Sequence, residues 1–131
     1  MSLVVDASVV VAALVDGGPD GEWAAHVLRE QALAAPHHMP IEAANVLRRA
    51  ALAADLSPDT ASLAHADLLD LRIELFSYGP LAERCWQLRE NITTYDAAYV
   101  ALAEQLHAPL ATLDTRLARS TGPRCQFKTP E

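Results

Sequence analysis

Two short apolar runs in this chain each stop at an aspartate: residues 3–5 run into Asp6, and residues 109–113 run into Asp114. The segments between and beyond them are longer and carry apolar residues at helical spacing. Strands that alternate with helices need crossover connections, and right-handed βα units then give a parallel sheet with helices on both faces. The expected fold class is therefore α/β, a Rossmann-like α/β/α sandwich around about four to five parallel strands. The pattern leaves the strand order open.

Several element boundaries are marked by chemistry. Asp6-Ala7-Ser8 supplies side-chain oxygens to cap a helix over residues 9–15. Residues 17–21, rich in glycine with one proline, read as a loop, and Trp23, Val27, Leu28 and Ala32 mark a helix over 22–34. Residues 35–39 read as a break before a helix from Pro40 to Ala54, which puts Glu42 in its first turn. Ser57-Pro58-Asp59 opens a further helix to about Leu71. Residues 73–77 then suit a strand, Gly79-Pro80 a turn and residues 81–89 a short helix. Thr94-Tyr95-Asp96 reads as the cap and first turn of a helix ending near His107. A short helix over 115–120 and an edge strand over 125–128 follow the second Asp-terminated run. With no repeat, linker or low-complexity tract, 131 residues suit one domain spanning 1–131.

Composition narrows the function. Asp and Glu total 17 against 10 Lys and Arg, a net charge of −7, which argues against a general polyanion-coating protein. Such a balance suits acids gathered to hold divalent cations or to meet a basic partner. Cys85 and Cys125 stand in no metal-binding spacing and imply neither a zinc site nor a disulfide framework. The first residues lack a basic leader, and the apolar run 9–15 is too short for a membrane span, so a cytosolic protein is expected.

In a parallel α/β sheet, strand C-termini and the N-termini of the following helices share one edge, where ligands bind. Asp6 and Asp114 close strand runs, while Glu42 and Asp96 fall in first turns, so all four belong to that edge. Each alone is accounted for by helix capping or the helix dipole, worth about 0.3–1 kcal/mol. Together they repel: two carboxylates about 6 Å apart cost roughly 3 kcal/mol at an effective dielectric near 20. A cation would neutralise the cluster, and an all-oxygen donor set selects Mg²⁺ or Mn²⁺ over zinc.

Four stretches in order, Val4-Val5-Asp6-Ala7-Ser8, residues 40–49 from Pro-Ile-Glu42 to Arg49, residues 94–104 from Thr-Tyr-Asp96 to Glu104, and Ala111-Thr112-Leu113-Asp114-Thr115-Arg116-Leu117, resemble the PIN domain. More narrowly the chain resembles the VapC-type toxins of bacterial type II toxin-antitoxin pairs, over essentially its whole length. The resemblance implies a PIN-like sandwich and a Mg²⁺- or Mn²⁺-dependent endoribonuclease acting on tRNA, rRNA or mRNA, leaving 5′-phosphate and 3′-hydroxyl ends. It also implies a homodimer and neutralisation by a VapB-type antitoxin laid across the active-site groove.

On this reading Asp6, Asp96 and Asp114 hold the cation, with Glu42 bound directly or through water. Ser8, Asn45 and Thr112 orient the carboxylates or bound water, or else serve only as caps and local backbone partners. Arg48, Arg49, Arg116 and Arg119 are the nearest candidates in sequence for contacting RNA phosphate, against the alternative of solvated helix faces. His37 and His38 are placed to stack on a base or touch phosphate. Trp23, Trp86 and Tyr99 read as core or dimer interface. A receiver-type phosphoacceptor is disfavoured because Lys128 is the only lysine and lies near the C-terminus. A haloacid-dehalogenase-like phosphatase would want an acid where Ser8 stands, and no Gly-rich phosphate loop is present. The alternative of another class is a noncatalytic RNA- or partner-binding PIN-like module.

Overall fold

The computed structural model describes residues 2–130. Five strands form one fully parallel sheet in the order β3-β2-β1-β4-β5, with β1 at Ser2–Val5, β2 at Ala32–Pro36, β3 at Ile73–Phe76, β4 at Leu110–Ala111 and β5 at Phe127–Lys128. Seven α-helices accompany it among the described residues: α1 Ala7–Val15, α2 Pro19–Glu30, α3 Met39–Leu52, α4 Pro58–Asp70, α5 Ala82–Gln87, α6 Thr94–Leu106 and α7 Thr115–Ala118. Helices α1 to α4 pack on one another, α5 packs on α6, and α6 lies along β1, β2 and β4. The expected α/β/α sandwich is the architecture found. No helix among the described residues is long and apolar enough to cross a membrane.

The core follows from the sheet's position between helices. All of Leu3, Val4 and Val5 are fully buried, as a strand covered on both faces requires. Against them lie α6 residues Ala97 to Ala103, a run buried all round the helix because it sits between the sheet and α5. Alanine dominates that run and lets α6 approach the sheet closely. Both cysteines are free, Cys85 buried and Cys125 partly so, as their spacing implied.

The largest differences from the sequence reading are at α2 and β2. Helix α2 begins at Pro19, inside the segment read as a loop, because proline fits the first helical turn and Asp20 and Glu22 favour its N-terminus. It also ends at Glu30, and residues 32–36, read as helix and break, form β2. Ala-Leu-Ala-Ala-Pro has stronger helical than strand propensity, so its conformation is imposed by pairing with β1 on one side and β3 on the other.

Sheet order now places the functional edge. The chain runs outward from β1 to β2 and β3, then returns past β1 to β4 and β5. The crossover direction reverses between β1 and β4, and in open parallel sheets a crevice opens at that point beyond the strand C-termini. Asp6 directly follows β1, Asp114 lies three residues beyond β4, and the turn after β2 leads into the helix carrying Glu42.

Candidate active site

Asp6 is the most tightly held of the four acids. It is 6% exposed, caps α1 by accepting from Val9 N at 3.2 Å, and also accepts from the Ser8 hydroxyl on Oδ1 and the Thr112 hydroxyl on Oδ2, each at 2.5 Å. Ser8 Oγ in turn accepts from Leu113 N at 3.1 Å, and Thr112 Oγ1 from Asp114 N at 3.0 Å. These bonds tie the C-terminal end of β1 to the segment after β4, so the two aspartates at the switch point are positioned together. Burial pushes the Asp6 carboxyl above its ordinary value despite the three donors, and the charge of Asp96 adds to the rise.

Asp96 arrives from a different part of the chain. Thr93 caps α6, its hydroxyl accepting from Asp96 N at 3.2 Å, so the cap lies one residue before the expected Thr94 and Asp96 is the third residue of the helix. Its side chain is half-buried with raised affinity for a proton, caused by burial and then by the charges of Asp114 and Glu42. Asp114 caps α7, Oδ1 accepting from Arg116 N at 2.9 Å and Leu117 N at 3.3 Å.

Glu42, in the first turn of α3, is held by a side chain that sequence reasoning assigned to the core or an interface. Tyr99, 1% exposed, donates its hydroxyl to Glu42 Oε1 at 2.6 Å. Nε2 of His38 lies 3.2 Å from the same oxygen but off the line of a hydrogen bond, and has no hydrogen-bond partner among the described residues. Burial alone would raise the Glu42 carboxyl, yet the close His38 and the Tyr99 hydroxyl outweigh it and hold the group below its ordinary value. Burial and the bond to Glu42 push the Tyr99 phenol far up, so it stays protonated as a donor. Tyr99 is one turn beyond Asp96 on α6, a spacing that puts both on one helix face.

Asp96 is thus the shared neighbour of Asp6, Asp114 and Glu42. None is ion-paired to arginine or lysine among the described residues. Nor is any group of three or more His, Cys, Asp or Glu side chains there gathered closely enough to hold a metal ion. The donor chemistry nevertheless fits a hard divalent cation: four carboxylates at one sheet edge, two of them raised in part by uncompensated neighbouring charge.

The remaining residues singled out in the sequence divide. Ser8 and Thr112 touch Asp6, whereas Asn45 is exposed and its Oδ1 lies 3.5 Å from Arg48 Nη1. Arg48 lines a groove between α3 and α4 with Pro58 and His65, Arg49 is exposed, and Arg119 lies in a cleft with Asp20 and Phe127. Arg116 shares a cleft of about 500 Å³ with Asp96 and Asp114. So does Arg89, which its place in the chain does not single out; its guanidinium carbon sits 4.9 Å from the Trp86 ring centroid. On the other side His38 packs edge-on against Tyr95 and Tyr99, with ring centroids 5.8 and 5.0 Å apart.

Comparison with known proteins identifies the family. The PIN domain family model matches residues 3–122. The chain is 42% identical to ribonuclease VapC1 of Mycobacterium tuberculosis over 126 residues, covering 95% of each chain. Its fold matches the crystal structure of PAE2754 from Pyrobaculum aerophilum with a TM-score of 0.71 and 27% identity, over 97% of this chain and 83% of that one. VapBC2 from Rickettsia felis, solved bound to a DNA fragment from the promoter, matches with a TM-score of 0.71 at 12% identity over the full length of both chains. With its parallel five-stranded sheet and acid-lined switch point, the chain belongs to the PIN-domain family, among its VapC-type members.

Proposed function

We propose that this chain is the toxin of a type II toxin-antitoxin pair and acts as a metal-dependent endoribonuclease. The observation that carries the reading is the placement of Asp6, Glu42, Asp96 and Asp114 at the switch-point edge with no arginine or lysine ion-paired to them among the described residues. Membership among VapC-type PIN domains supports it. Mg²⁺ or Mn²⁺ is the cation that suits these donors, and Asp6, Asp96, Asp114 and Glu42 are the residues that would hold it. When bound, such an ion activates water for attack on phosphorus and offsets charge on the phosphate oxygens.

The protein's own groups prepare that site. Ser8, Thr112 and Val9 N hold both oxygens of Asp6, and Tyr99 holds Glu42, so the protein itself orients these two carboxylates. Arg89 and Arg116, in the cleft beside Asp96 and Asp114, supply positive charge for an RNA backbone that the overall −7 charge would repel. The products on this reading carry 5′-phosphate and 3′-hydroxyl ends, from tRNA, rRNA or mRNA.

The same reading covers assembly and place in the cell: a single PIN domain over 1–131, cytoplasmic, forming a homodimer and a complex with a VapB-type antitoxin. Exposed Leu52, Leu63 and Leu69 on α3 and α4 provide apolar surface for such contacts, and the acidic edge suits a basic inhibitor segment.

Incubation of the purified chain with labelled RNA in Mg²⁺ or Mn²⁺, beside a chelator lane and Asp6→Asn, tests the catalytic reading. Discrete cuts that need the metal and fall at least a hundredfold in Asp6→Asn are expected. Cutting that survives chelator and mutation would overturn the reading, and metal binding without cutting would favour a noncatalytic RNA- or partner-binding PIN-like module.

A further inference from the structure

Beside the acids, and separate in its lining from the arginine-lined cleft, lies a second opening of about 410 Å³ formed where three segments meet: the β2–α3 turn, the end of β3 with the turn after it, and the N-terminus of α6. Its walls are His37, Phe76, Tyr78 and Tyr95, with Pro36 and Ala98 behind. Tyr95 is 64% exposed and Tyr78 48% exposed, so two rings stand open to solvent although each could be covered by one flat ligand. Among the described residues no arginine, lysine, aspartate or glutamate lines this opening, which His37, His38 and Thr94 also border. Its lining is mainly aromatic, in contrast to the cleft beside Asp96 and Asp114 where Arg89 and Arg116 stand.

The opening is joined to the carboxylates by covalent and packing contacts. Tyr95 precedes Asp96, and His38 forms both its edge and the neighbour of Glu42, with Nε2 3.2 Å from Oε1 and its ring against Tyr95. A neutral, flat, aromatic ligand whose attached phosphate reaches the acids matches both features. An unpaired base of single-stranded RNA is such a ligand, since every base has a π-face and stacks on tyrosine. We propose that this cleft binds one unpaired nucleobase of the RNA, stacked on Tyr95 and flanked by Tyr78, next to the phosphate addressed by Asp6, Glu42, Asp96 and Asp114. This rests on the ribonuclease reading and adds a base subsite to it. The strand then crosses the edge with a base on the aromatic side and backbone on the Arg89 and Arg116 side.

The test measures binding separately from cutting. Single-stranded RNA 12-mers of one fixed sequence, each with one abasic position moved along the strand, are titrated in chelator against wild type, Tyr95→Ala and Tyr95→Phe. A stacked base contributes about tenfold in affinity. Wild type is expected to lose about tenfold at one abasic position, Tyr95→Ala to lose about tenfold with the intact strand and nothing further at that position, and Tyr95→Phe to behave as wild type. Tyr95 is exposed, so its truncation leaves the core untouched, and unchanged thermal melting confirms it. The proposal is overturned if wild type binds no 12-mer, if no abasic position matters, or if Tyr95→Ala binds intact RNA as wild type does, the result expected of a cleft that takes a protein partner's side chain. Wild type that binds no 12-mer overturns both readings, cutting indifferent to Asp6→Asn overturns the ribonuclease reading alone, and RNA binding unmoved by every abasic position or by Tyr95→Ala overturns the base subsite alone.

Discussion

Tyr99 shows how one hydroxyl joins core and site. Its ring is packed among the α6 residues that cover the sheet, and its oxygen ends on Glu42 at 2.6 Å. Replacing it with phenylalanine keeps the packing and removes the donor, leaving His38 as the remaining neighbour of that carboxylate oxygen. Tyr99→Phe is expected to lower unfolding free energy by about 1 kcal/mol and to cut kcat/KM for RNA about tenfold. Urea unfolding and single-turnover cleavage check the two effects, and unchanged cleavage would place Glu42 outside the working site. Glu42 and Asp96 were legible as acids in first turns, because the helix start signals are local. Tyr99 was not, since nothing in a helix-spaced tyrosine separates a core ring from one whose hydroxyl meets a residue 57 positions away.

At the scale of elements, the path from α1 to α2 depends on an absent side chain. Gly21, buried in α2, lies so close to the end of α1 that a Cβ would sit 1.7 Å from the Asp16 carbonyl oxygen. Backbone cannot yield as a side-chain tip can, so Gly21→Ala must push α2 off α1. A loss of about 1–3 kcal/mol is expected, read as a lower melting temperature. A melting temperature equal to wild type would mean that the helices are not held at this approach. Helix α2 is also where local signals misled: glycines and a proline at residues 17–21 read as loop, although Pro19 sits in a first turn and Gly21 serves packing. Strand β2 was misread for the converse reason, its alanines favouring helix until two flanking strands supply hydrogen-bond partners.

Across the whole molecule, the segment before β5 is fastened to α5 and α6 by one ion pair. Arg84 Nε donates to Glu104 Oε1 at 2.7 Å and Nη2 to Oε2 at 3.1 Å, Nη2 also meets Gly122 O at 2.9 Å, and Arg124 N donates to Glu104 Oε2 at 2.7 Å. Burial alone would raise the Glu104 carboxyl, but Arg84 and the Arg124 N–H outweigh it and hold the group below its ordinary value of 4.5. Because the folded value is the lower one, the stabilisation is present above the unfolded value and is lost as pH falls through the folded value. Glu104→Gln is therefore expected to melt lower than wild type at pH 7, by about 1 kcal/mol for a partly solvated pair, with the two curves converging below pH 4.5. Differential scanning calorimetry across that range checks it, and a gap that persists in acid would assign the cost to packing instead.

By itself the sequence determined the α/β alternation, most helix starts and the four acids, since periodicity, capping and strand ends are written in neighbouring residues. It also offered Ser8 and Thr112 as candidate partners of an acid, each lying two residues from Asp6 or Asp114, and left open whether they serve only as caps. The tertiary structure alone decided the sheet order, the conformation of β2, the bond from Tyr99 to Glu42, and the presence of Arg89 in place of Arg48 or Arg119 in the cleft with Asp96 and Asp114. Those depend on which distant segments pack together, and packing is decided by the burial of the entire core rather than by any local run of residues.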